Sequence, residues 1–101
     1  MNTDNLEWLQ RWYRAHCNGD WEHQHGISVE TLDNPGWQLT IDLAGTELQR
    51  REFKELKVER TGDDWVWCRI LGNPDAPTFD GHCGALNLIE VIEIFRSWAQ
   101  E

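Results

Sequence analysis

The sequence has no lysine or arginine between Arg14 and Arg50, and its nine basic residues face eighteen acidic ones for a formal net charge of −9. That shortage argues against direct nucleic-acid binding, because phosphate contacts need clustered Lys or Arg. It favours solubility and, more sharply, a basic partner. Cysteine is scarce and odd in number: Cys17, Cys68 and Cys83 frame no paired set. No apolar run approaches the roughly 18–20 residues of a membrane span. The start, MNTDNLEW, lacks the basic-then-apolar order of a secretory leader. The expected setting is cytoplasmic, with free thiols and no membrane contact.

What is abundant is tryptophan, with seven in 101 residues. A buried aromatic removes about 150–250 Å² from water, so a small core can be built from few large pieces. A chain of this length buries roughly 60–65% of its unfolded surface, enough for one modest core. The expected organisation is a single domain over residues 1–101, without repeat or linker.

Periodicity sets the elements. Leu6, Leu9, Trp12, Tyr13 and Cys17 recur at helical spacing over residues 5–17. Asp4 and Glu7 have the form of a capping box, and Asn18-Gly19 is a stop. Ile27 and Val29 then alternate with polar residues, as do Trp37, Leu39, Ile41 and Leu43. Asp33-Asn34-Pro35-Gly36 between them predicts a type II turn, with Gly36 at positive φ. Residues 44–54 fit neither template. A third strand begins near Glu55, Thr61–Asp64 is a turn, and Trp65–Leu71 is a strand with two apolar faces, expected to be central. Gly72–Gly84, rich in Gly and Pro, reads as a loop pinned by Phe79, with at most a short edge strand. A last helix spans 88–100, with Asn87 and Glu90 as a capping box and Leu86 with Val91 as a hydrophobic staple. The predicted class is α+β in the order α-β-β-β-β-α: an antiparallel sheet of four to five strands with both terminal helices on one face. Ile89 and Ile94 widen the stripe of the last helix, which fits a monomer or a weak homodimer.

Several groups suggest chemistry. His16, Cys17, His23 and His25 could join a metal site, yet zinc needs about four ligands and no paired ligand spacing is present. Cys83, before the last helix and beside His82, could be a thiol nucleophile, since a helix N-terminus lowers a thiol pKa. Asp20 with Glu22, and Asp63 with Asp64, could be catalytic carboxylate pairs, but no second catalytic group accompanies them. The basic residues Arg50, Arg51, Lys54, Lys57 and Arg60 are interleaved with Glu52, Glu55 and Glu59, which favours local charge pairing.

Trp12-Tyr13, Cys17–His23 with its Trp-Glu-His, Gly26-Ile27, Thr31–Trp37 with its Asp-Asn-Pro-Gly-Trp, and Ile41–Leu43 with Gly45-Thr46 together resemble the immunity protein 53 family. The likeness continues through Phe53, Asp64-Trp65, Cys68, Gly81, Asn87-Leu88, Ile94-Phe95 and Trp98. Cys83 and the length of Gly72–Thr78 depart from the pattern. The resemblance implies a bacterial, non-enzymatic immunity protein of a polymorphic toxin system, which binds and neutralises a cognate toxin domain; no cofactor is implied. A basic nuclease is one form that such a toxin takes. Composition adds a mode: Asp20, Glu22, Asp33, Asp63 and Asp64 as steering carboxylates, with Trp21 and Trp37 as candidate anchors. The alternatives are a thiol enzyme using Cys83 and a metal-binding module using His16, Cys17, His23 and His25.

Overall fold

The computed structural model of the protein describes residues 4–101. Residues 1–3, part of the stretch on which the expectation of no secretory leader rests, lie outside them. The elements are α1 (Asn5–His16), α2 (Trp21–Gln24), β1 (Ile27–Leu32), β2 (Gly36–Asp42), β3 (Leu56–Glu59), β4 (Trp65–Leu71), β5 (Thr78–Gly84) and α3 (Leu88–Ala99). The strands form one antiparallel sheet in the order β1-β2-β5-β4-β3. The α+β class expected from the pattern is what the chain adopts.

Strand alternation sorts the side chains. Leu39 and Ile41 of β2, Phe79 and Cys83 of β5, and Val66 and Cys68 of β4 share one face, and all are fully buried. Val91, Ile92, Phe95 and Trp98 of α3 pack on that face. Gly81 lets the helix approach: a Cβ there would lie 2.5 Å from a methyl of Val91. α1 packs against α3, with the Trp12 ring edge-on to Phe95 at 5.2 Å and Trp8 at 5.9 Å. Such aromatic pairs add about 0.5–1.5 kcal/mol each beyond their buried area.

Four local expectations are corrected. The Asn34–Pro35 peptide is cis, and Gly36 is not at positive φ, so the hairpin turn is not type II. Gly36 serves a different need, because a Cβ there would collide with the Cys83 carbonyl of the neighbouring strand. Residues 78–84 are not a loop or an edge but the middle strand, paired with both β2 and β4. Two glycines and an Asp in TFDGHCG obscure it, yet Gly81 is there for the helix above. β4 is interior but lies next to β3, off the centre. The short helix α2 was not expected.

The capping signals hold in part. Asp4 accepts from Leu6 N–H at 2.8 Å, but Glu7 pairs with Arg11 instead of closing the box. Asn87 makes no side-chain cap bond; its amide donates to Asp64 and Glu90. Leu86 is 95% exposed and forms no staple. Residues 43–55 cross from β2 to the far edge as a chain of turns. Thr46 Oγ1 donates to Leu43 O, Arg51 donates to Trp98 and Ala99 carbonyls, and Trp98 Nε1 donates to Glu52 O.

Candidate functional site

Part of the acidic stretch without Lys or Arg forms one border of the sheet. It includes α2, the end strand β1 and the turn into β2. Ser28, Val29, Glu30 and Thr31 are all exposed. Asp20 and Glu22 stand before the strand, and Asp33 stands after it. At about 3.3 Å per residue, the two ends of β1–β2 lie roughly 20 Å apart. The proposed carboxylates therefore form no single cluster: Asp20 and Glu22 sit at one end, and Asp33 at the other. Asp63 also lies at the Asp33 end, because its carbonyl abuts Gly84, the partner of Gly36.

Individual roles divide further. Trp21 is 7% exposed and its Nε1 donates to Ala44 O at 2.8 Å, so it braces the fold. Glu22 accepts from the N–H groups of Asn18 at 2.9 Å and Gly19 at 2.8 Å. Its own backbone N–H, then that of Asn18, holds its carboxyl below the ordinary value. Trp37 is half-buried on the helix side of β2, with Nε1 donating to Ala85 O at 2.9 Å. Asp64 is committed elsewhere. Arg60 grips both its oxygens, Asn87 donates to it, and Arg60 also reaches Glu90 at 2.6 Å. Those bonds, Arg60 first, depress the Asp64 pKa. Asp20, Asp33 and Asp63 are exposed, and no hydrogen bond or ion pair with another described residue engages their carboxylates.

The sheet face away from the helices carries a group that sequence reasoning missed. Asp80, 2% exposed, accepts from Gln38 Nε2 at 2.9 Å and faces Arg69 at 3.5 Å and His82 at 3.3 Å. Trp67 lies beneath the Arg69 guanidinium at 3.9 Å and the Lys57 ammonium at 4.7 Å, and its Nε1 donates to Glu55 at 2.7 Å. Both Asp80 oxygens have partners within this face, so it is largely self-satisfied. The alternation Asp80–His82 is its only trace in the sequence, and the loop reading of residues 72–84 hid it.

Of the remaining groups, His16 and His25 make structural contacts. His16 Nδ1 donates to Trp12 O at 2.7 Å and Nε2 lies 2.7 Å from Glu47, while the His25 ring packs against Trp21. Among the described residues no three His, Cys, Asp or Glu side chains converge to hold a metal ion. Cys83 is fully buried, and burial pushes its thiol up to about 11, the reverse of what a thiolate nucleophile needs. A broad groove of about 720 Å³ lies between α3 and residues 52–56, open to solvent and far from the acidic border.

The family model of immunity protein 53 matches residues 6–100. The chain belongs to the immunity protein 53 family. No curated protein and no solved structure matches it. In this immunity protein the Trp-Glu-His run is α2, and Asp-Asn-Pro-Gly-Trp is the cis-proline turn into β2. The two motifs flank the β1 strand in sequence.

Proposed function

We propose that this immunity protein neutralises a cognate bacterial toxin domain by binding it, with no chemistry of its own. The observation that carries the reading is the family match across residues 6–100. The border of residues 20–37 supports it, with Asp20, Glu22, Glu30 and Asp33 and no Lys or Arg. Asp20, Asp33 and Asp63 steer a basic partner, and Glu22 adds charge while holding its loop. A toxin that acts on nucleic acid has a basic surface for phosphates, and carboxylates can occupy it. The complex forms in the cytoplasm of the producing cell.

The test is co-expression with the toxin domain encoded beside this gene. Cells survive with the immunity protein and die without it, and the pair elutes as one complex. Equal killing with and without it, and no complex on a sizing column, would sink the reading.

A further inference from the structure

We propose that the outer edge of β1 captures the toxin by strand addition, taking an extended segment that alternates apolar and basic side chains. This rests on the toxin-binding reading and specifies how the partner is held. The argument begins with the phase of the hydrogen bonds. Asp42 N–H donates to Gly26 O at 3.0 Å, and Leu43 N–H donates to Pro77 O at 3.0 Å. Antiparallel ladders alternate bonded and non-bonded pairs. With the register Ser28↔Thr40 and Glu30↔Gln38, the even residues of β1 bond inward to β2. Ile27, Val29 and Thr31 therefore aim their N–H and C=O groups outward. Among the described residues no strand pairs with that side.

An open edge is a liability that folds normally blunt with Lys, Pro, a bulge or a cover. β1, ISVETL, contains neither Lys nor Pro, and its register with β2 runs without a break. An apolar groove of about 360 Å³ runs beside it, lined by Leu6, Tyr13, Ile27 and Val29 among others. Leu6 and Val29 are each 48% exposed and Tyr13 37%. An added strand would send alternate side chains into this groove and the others toward the opposite face, where Glu30 projects. Main-chain bonds supply affinity in this mode, and alternate side-chain pockets supply specificity. The occupant is therefore apolar on the groove side and carries Lys or Arg on the Glu30 side. A second copy of this chain fits poorly, because it would set acidic border against acidic border between chains of −9 charge.

The test uses the full chain and the toxin domain encoded beside its gene. Val29→Pro removes an outward N–H, which an edge strand tolerates. It should keep the fold by circular dichroism and weaken binding by roughly tenfold or more. Glu30→Lys should weaken binding and reduce its salt dependence. Residue-resolved amide exchange gives a second readout. In the free protein Ser28 and Glu30 exchange slowly while Val29 and Thr31 exchange fast; in the complex Val29 and Thr31 slow as well. A tight complex in which those two amides stay fast and Val29→Pro binds normally overturns strand addition and leaves toxin binding intact. Protection of the same amides by self-association without toxin would assign the edge to a second copy and overturn the stated occupant. Absence of any complex overturns both readings.

Discussion

The two edges of the sheet are finished in opposite ways. β3 has four residues, and the same ladder phase turns only Lys57 and Glu59 outward. Lys57 lies over Trp67, and Arg60, just past the strand, ties Asp64 and Glu90 together beside α3. β1 has six residues, its interior is exposed, and it lacks any basic side chain. Edge protection is thus applied at β3 and withheld along the acidic border. The difference shows that the charge asymmetry of the sequence is also an asymmetry of backbone availability.

The most damaging way to break the comparison removes what both edges hang from. Phe79 is fully buried in the middle strand, with Phe53, Phe95 and Trp98 around it. Phe79→Ala should cost about 3–5 kcal/mol in chemical denaturation, with both edges lost in one transition. Next comes a neighbouring pair on β1. Ser28→Pro deletes an inward bond to β2 and should cost about 1–3 kcal/mol, whereas Val29→Pro should stay within about 1 kcal/mol. Equal costs would show that the ladder phase is wrong.

Legibility followed the same division. The two long helices, the strands of the first hairpin and β4 were readable because their apolar residues recur at a plain period. Trp37 was explained by strand alternation, and the structure places it there. β5 was not readable, because its Gly81 answers to Val91 and its Gly84 to the Asp63 carbonyl, contacts that are tertiary. Leu86 looked like a staple from spacing alone but points away. At the candidate site, the acidity and position of residues 20–37 were visible in the sequence. Which carboxylates are free was not, since the engagement of Asp64 depends on Arg60 and Asn87, and the burial of Trp21 depends on Ala44.

Acid gives a smaller perturbation that sharpens the contrast. The folded Asp64 carboxyl lies below the 3.8 of a free aspartate, chiefly through Arg60. A depressed carboxylate stabilises the fold fully above its unfolded pKa, and that contribution disappears as pH falls through the folded value. Lowering pH from 5 toward about 2 should therefore loosen the β3–β4 hairpin before β1, read by residue-specific amide exchange; Arg60→Gln should remove the difference. The smallest effect is expected from Glu30→Lys, which gives β1 the protective residue β3 already has. Folding stability should change by no more than about 0.5 kcal/mol, measured by thermal melting.

The position of β5 has a consequence for how the sheet comes together in time. The β1–β2 hairpin and the β3–β4–β5 meander each form from neighbouring sequence, but the β2–β5 seam joins residues 36–42 to residues 78–84. Distant pairings carry the loop-closure cost that slows folding. The middle of the sheet is thus the last part a ribosome can supply. Until it arrives, β2 has a second open border, and the nascent chain depends on rapid seam closure to leave β1 as the single long edge on offer.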